Sequence, residues 1–303
     1  MKSSIAVALL AMVSLSVGPA FSQEPTLASR IKPFADAHKG KVAVAVKNLA
    51  TGEAFDLNAD EVMQTASLIK LAIMVEAYRQ ADEKKTDLGK MVTLAKDDKV
   101  PGSGILTSHF SDGASFPLRD AVRLMIVYSD NTATNMVLDQ IGIKPVNAMT
   151  AALGMPETRI NSKVFKRSTT VDLARSEKYS LGSITAKDAV NMLELIHTEK
   201  AASPDSCKAM LGHLKVCDDK EKLTRFLPAG TVVAHKTGST DRVRTAAGII
   251  YVPDPADKKK TIPVAVCVLT NDNQDQRWVA DNAGQVMIGK IGKEVYDFFS
   301  AKK

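Results

Sequence analysis

Ser67-Leu68-Ile69-Lys70, followed without a break by Leu71-Ala72-Ile73-Met74-Val75, is the stretch from which the rest of the chain can be read. Its apolar residues include good helix formers and run on into Glu76-Ala77-Tyr78-Arg79. That pattern predicts a buried helix beginning near Ser67. A step of three residues sets Ser67 and Lys70 on one face of it. A serine hydroxyl beside an amine is a nucleophile with a base within reach, which is what covalent catalysis requires. Ser-x-x-Lys also arises about once by chance in a chain of this size. Its meaning therefore rests on what stands elsewhere in the sequence.

Upstream, the chain opens on Met1-Lys2 and an apolar run from Ile5 to Val17, closed by Ala20-Phe21-Ser22-Gln23. A charged start, an apolar middle and a small-x-small site make a secretory signal, with cleavage expected after Ser22. The run is shorter than the roughly 20 residues that a spanning helix needs. The expectation is a signal peptide at 1–22 and an exported mature chain, periplasmic or secreted, with no stable membrane insertion. About 280 residues remain, enough for one large core or two intimately packed lobes.

The formal charge is +6, and the basic residues are scattered. The one run, Lys258-Lys259-Lys260, follows Pro253-Asp254-Pro255 and reads as a solvated hairpin tip rather than a nucleic-acid patch. Three cysteines, Cys207, Cys217 and Cys267, are too few and too odd for a disulfide scaffold. Cys207 and Cys217 could bridge only if the chain turned back between them, since one straight helix would hold them roughly 15 Å apart. The histidines show no ligand spacing, so no metal or other cofactor is expected.

Residues 26–38 have the texture of a short amphipathic helix, and 42–46 with 54–57 that of a hairpin. From 66 to about 215 the pattern is helical, with segments at 67–80, 118–128, 131–141, 145–152, 186–199 and 204–215. Strand texture returns at 231–235, 245–252 and 262–270, and one long helix is expected from about 276 to 299. Pairing the hairpin with the three late strands gives one antiparallel five-stranded sheet flanked by the terminal helices. This α/β (α+β) plan has a sheet lobe at about 23–62 and 220–303, and an inserted all-helical lobe at about 63–219. A cleft between two such lobes is a usual place for a site.

Two clusters fall where that cleft would lie. Ser129-Asp130-Asn131-Thr132-Ala133 sits between two helices, where a short polar step normally only caps. Ala234-His235-Lys236-Thr237-Gly238-Ser239 ends the first late strand. Ser-x-x-Lys, Ser-Asp-Asn and Lys-Thr-Gly in this order resemble the motif trio of class A β-lactamases and penicillin-binding proteins. The resemblance runs from about residue 30 to 299 and takes in Asn135 and the Leu227-Pro228-x-Gly230-Thr231 lead into the third motif.

That resemblance implies a serine hydrolase that opens the β-lactam amide through an acyl-enzyme at Ser67. Lys70 would be the base or electrostatic activator, Ser129 the proton donor to the leaving nitrogen, and Lys236 would lower the cost of that transfer while attracting a substrate carboxylate. The amides of Ser67 and Ser239 would form the oxyanion hole. Asn131, Thr237, Gly238, Ser239 and Arg244 would bind substrate, with Thr237, Ser239 and Arg244 as a carboxylate grip. Arg242 competes with Arg244 for that role, its simpler reading being a solvated turn, and Asp130 reads as structural. The implied partner is a small β-lactam or a peptidoglycan stem peptide, met by a monomer.

One departure stands out. Glu157-Thr158-Arg159-Ile160-Asn161 resembles the entrance of the family's Ω-loop, whose glutamate positions the water that frees the acyl-enzyme. Counting on to that place reaches Ser162-Lys163-Val164-Phe165-Lys166, which holds no acid. Either Glu177 or Asp172 folds back over Ser67 as the deacylating base, or no such base exists. The simplest role for both acids is a surface ion pair with Arg167, Arg175 or Lys178. Without a base the protein would tend toward a D-alanyl-D-alanine peptidase, or toward a β-lactam or muropeptide binder that does not turn over.

Overall fold

A computed structural model describes residues 26–301. The expected signal peptide lies outside these residues. Five strands, β1 (Lys41–Asn48), β2 (Ala54–Leu57), β3 (Val233–Thr240), β4 (Val243–Pro253) and β5 (Thr261–Asn271), form one antiparallel sheet. The spatial order is β2-β1-β5-β4-β3, so β3 is an edge strand.

The sheet is buried on both faces, and the strand period of two assigns each face its residues. Val42, Val44, Val46, Val264, Val266 and Val268 pack with α1 (Leu27–Ala37) and α9 (Ala283–Ala301). The alternate positions, Ala43, Ala45, Ala247, Ala265 and Cys267, join the core of the other lobe. Methyl-sized side chains there let α7 (Ala186–His197) lie close on β1 and β5.

The second lobe is built round α2 (Lys70–Asp82), which is buried on nearly every side. It packs against α3 (Leu118–Val127), α4 (Asn131–Ile141), α5 (Ile143–Ala152) and α8 (Pro204–Lys215). Encirclement by other helices explains why its sequence shows an unbroken apolar run instead of an amphipathic stripe. A short helix, α6 (Leu173–Tyr179), stands on the loop between α5 and α7.

The structure departs from the sequence expectations in four places. Ser67 lies in a 3₁₀ turn, Ala66–Ile69, and the α-helix begins only at Lys70. Residues three apart eclipse in a 3₁₀ turn, so Ser67 and Lys70 align more directly than on an α-helix. The inserted lobe is not all helical: Met63–Gln64, Arg159–Ile160 and Gly182–Ile184 make a small sheet, and Met91–Thr93 pairs with Ser115–Pro117. The last helix starts at Ala283 instead of about 276, because Asn282 Oδ1 accepts the amides of Gly284 (3.0 Å) and Gln285 (3.4 Å). The third motif lies inside β3 instead of ending the strand, and the chain turns only after Thr240.

Cys207, Cys217 and Cys267 are all free and buried; Cys207 sits on α8 and Cys217 just beyond its end. Among the described residues no helix is long and apolar enough to cross a membrane.

Candidate active site

The Ser67 turn is held under backbone strain. Ala66 has φ +46° and Ser129 φ +52°, a region that costs a side-chain-bearing residue about 1 kcal/mol or more. Surrounding contacts hold the first of these in place. Thr65 N donates to Gly182 O at 3.0 Å, and Thr245 Oγ1 donates to Thr65 O at 3.0 Å. β3 closes over the same turn. A Cβ at Gly238 would stand 2.7 Å from Ser67 N and 2.6 Å from Thr65 O, so only glycine allows the approach.

Strand parity sorts the third motif. Lys236 and Gly238 share the face of Ala234 and look toward the helical lobe, whereas His235, Thr237 and Ser239 share the face of Val233 and look the other way. Lys70 and Lys236 are completely buried. Lys70 Nζ donates to Ser129 O at 2.7 Å and to Asn131 Oδ1 at 2.8 Å, and lies 3.2 Å from Ser129 Oγ. Lys236 Nζ donates to Thr237 O at 2.7 Å and to Ser129 Oγ at 3.1 Å. Burial pushes the Lys70 amine well below its ordinary pKa, the charge of Lys236 pushes it further, and Asp130 opposes them. Burial lowers Lys236 as well. A neutral amine has two hydrogens and one lone pair. The two short bonds of Lys70 use both hydrogens, which leaves the lone pair for a hydroxyl proton.

Asp130 is a tether. Its carboxylate caps α4 through Ala133 N (2.8 Å) and also accepts Ile105 N (2.7 Å) and Leu106 N (2.9 Å). Asn131 spends its side chain on Lys70 and on Pro101 O (3.0 Å), so it positions the amine and does not line the Ser67 cleft. One turn along α4, Asn135 clamps the backbone of Val164 through Nδ2 to Val164 O (3.0 Å) and Val164 N to Oδ1 (2.8 Å).

Beside the substrate contact expected of Asn131, three further expected roles do not fit this geometry. Asp172 caps α6 through Arg175 N at 3.0 Å and lines a separate hollow with Lys144, Asn147 and Arg159. Glu177 is exposed on α6. Neither acid lines the cleft that contains Ser67, because α6 packs beside the Gly182–Ile184 strand. The ion pairs on this loop are instead Arg175 with Glu157 (3.0 Å) and Lys163 with Asp139. Arg244, expected in a carboxylate grip, points to the terminal-helix face of the sheet beside Gly284. Its guanidinium donates to Thr240 O, and to Val243 O and Arg277 O at 2.9 Å each, beneath the Trp278 ring at 4.9 Å.

The cleft has a volume of about 460 Å³ and is lined by Ser67, Ser129, Lys236, Thr237, Gly238 and Ser239. Tyr128 and Trp278 line it too, together with residues that sequence reading passed over: Cys217, Asp219 and Lys222. Asp219 Oδ2 accepts Thr237 Oγ1 at 2.8 Å and Lys222 Nζ at 2.5 Å. Burial opposes the charge on Asp219, but Lys222, Thr237 and the Glu221 amide hold its carboxyl at about 2. Burial alone would raise the Cys217 thiol; its bond to His235 and the charge of Lys236 outweigh that and bring it to about 7. No motif marks this segment. A run such as Asp218-Asp219-Lys220-Glu221-Lys222 has the pattern of a solvated surface.

Such a site can generate a serine nucleophile, accept its proton on a neutral lysine and return a proton through Ser129. The profile of the β-lactamase enzyme family matches residues 26–299. The extended-spectrum β-lactamase PER-1 of Pseudomonas aeruginosa is 25% identical over 98% of this chain and 95% of its own. The β-lactamase structure from Sphaerobacter thermophilus superposes with TM-score 0.78 at 30% identity, covering 91% of this chain and 99% of that one. The fold is also that of PBP-A, with TM-score 0.78 at 23% identity over 91% of this chain and 96% of that one. The chain belongs to the β-lactamase enzyme family.

Proposed function

We propose that this protein is a serine hydrolase acting outside the cytoplasm, which opens β-lactam amides through an acyl-enzyme at Ser67 and releases it slowly. The observation that carries the reading is the Lys70–Ser129–Lys236 relay, with Ser129 Oγ 3.2 Å from one buried amine and 3.1 Å from the other.

Ser67 Oγ attacks the carbonyl carbon while its proton passes to the lone pair of neutral Lys70. The amides of Ser67 and Ser239, brought together by Gly238, receive the oxyanion. Ser129 then gives its hydroxyl proton to the departing nitrogen and is reprotonated from Lys70. Lys236 stands at the reacting end of the cleft and lowers the cost of both transfers; burial works against its charge, and Cys217 and Asp219 favour it. Water frees the acyl group with Lys70 as the available base, since the loop offers neither Glu177 nor Asp172. General-base help is worth about 10²–10⁴ in rate, so a step that lacks a dedicated carboxylate trails acylation.

A second reading, a D-alanyl-D-alanine peptidase using the same residues on stem peptides, draws on one feature. Val164, an apolar residue, occupies the point where Asn135 pins the loop. Intact mass spectrometry with a penicillin tests the main reading. Expected is an adduct on Ser67 whose slow decay returns free enzyme and hydrolysed drug, with no adduct on Ser67→Ala. Hydrolysis by Ser67→Ala at the parent rate would sink the assignment, and D-alanine release from a stem peptide would favour the second reading.

A further inference from the structure

Thr237 has its hydroxyl turned to an acceptor in the wall of the cleft. Strand parity aims the side chain away from Ser67, and the hydroxyl proton goes to Asp219 Oδ2 at 2.8 Å. The same oxygen receives Lys222 Nζ at 2.5 Å, and Oδ1 accepts Glu221 N at 3.0 Å. The main-chain carbonyl of Asp219 lies 2.9 Å from His235 Nε2, which fixes the segment against β3. Asp219 and Lys222 both face the Ser67 cleft, and the Lys222 side chain is only 4% exposed.

A buried ammonium on a cleft wall would hold an anion, but here its charge is cancelled by a carboxylate in direct contact. A carboxylate arriving at Thr237 meets an acceptor that already owns the hydroxyl. The other cation of this corner, Arg244, is buried under Trp278, with its two terminal nitrogens on backbone carbonyls and its Nε without a hydrogen-bond partner among the described residues. Among the cleft-lining residues Lys236 alone remains to attract an anion, against the acid Asp218 on the same wall, and it also donates to Ser129 and Thr237 O.

We propose that Asp219 and Lys222 set the substrate specificity of this cleft: by engaging Thr237 and cancelling each other's charge they remove its preference for a free carboxylate. Acyl donors whose carboxyl group is esterified or amidated then bind about as well as free acids. The proposal rests on the reading that β-lactam-type acyl donors occupy the cleft.

Trp278, the only tryptophan of the chain, lines the cleft and reports binding without turnover. The experiment uses the full chain carrying Ser67→Ala, titrated by fluorescence with benzylpenicillin and with its methyl ester. The two dissociation constants should agree within about threefold. Adding Asp219→Asn removes the opposing charge and should tighten the acid roughly tenfold relative to the ester, the scale of a hydrogen bond to a charged group. Adding Lys222→Gln should weaken the acid relative to the ester, and it decides the matter if Asp219→Asn does not fold. A parent preference for the acid of a hundredfold, or a ratio unmoved by Asp219→Asn, overturns the proposal while leaving the cleft's occupant intact. Failure of both compounds to change the fluorescence overturns it together with the reading beneath it.

Discussion

The walls of the Ser67 cleft and the loop from Glu157 to Leu181 are neighbours in the fold, yet they are built to different standards. Around Ser67 every group has a defined place: two fully buried lysines, strained residues at 66 and 129, a glycine that admits β3, and Asp130 with three backbone amides. The loop is equally well tied down, by the Asn135 clamp on Val164 and by the Arg175 pairing with Glu157. Yet none of its residues, and so none of its carboxylates, lines the cleft. The lesson is that acylation and deacylation have separate structural foundations. A chain can keep the first entire while lacking the residue that speeds the second.

The largest test of that contrast supplies the missing acid. Val164→Glu places a carboxylate on the residue clamped one turn from the Asn131–Lys70 pair. It should shorten the acyl-enzyme lifetime by about 10²–10⁴, while burial of the new charge lowers Tm. Pre-steady-state mass analysis and a melting curve read the two effects. An unchanged lifetime would show that position 164 is not where the loop meets the ester. Next in size, Asp130→Ala removes the α4 cap and two further amide contacts, and should cost about 3 kcal/mol of stability in urea titrations. A loss below about 1 kcal/mol would mean that the cleft does not depend on this tether.

A third test uses pH. On the proposed mechanism the neutral amine of Lys70 takes the Ser67 proton, so acylation should fall as pH drops through its lowered pKa. Lys236→Gln removes a charge that helps to lower it. The falling limb of the acylation profile should therefore move to higher pH in this variant. A limb that stays put would assign the titration to another group. The smallest effect is expected from Glu177→Gln, which should alter deacylation by less than about twofold, since the residue is exposed on α6 and outside the cleft. A clear slowing would restore it as the base.

What was legible in the sequence was local. Ser67 with Lys70, Ser129 with Asn131, and Lys236 with Gly238 each sit within one turn or strand segment, so spacing alone relates them. The sheet followed from pairing the early hairpin with the three late strands. The rest depends on distances that spacing does not carry. Asp219 meets Thr237 across 18 residues, and its charges have the look of a solvated run. The direction of Arg244 is a matter of strand parity, which flips with a single residue of register. Trp278 stands at the cleft only because Asn282, six residues inside the expected helix, supplies its cap. The acids of the loop were credible bases until α6 fixed which way each one faces.

The central claim is that Ser67 is acylated faster than it is freed. Rapid-quench intact mass spectrometry of the parent protein with benzylpenicillin, followed from milliseconds to hours, tests it most directly. A Ser67 adduct should build to most of the protein and then decay more slowly than it formed. Drug hydrolysed over many turnovers with no adduct ever accumulating would contradict it, and would place an efficient deacylating base in this cleft.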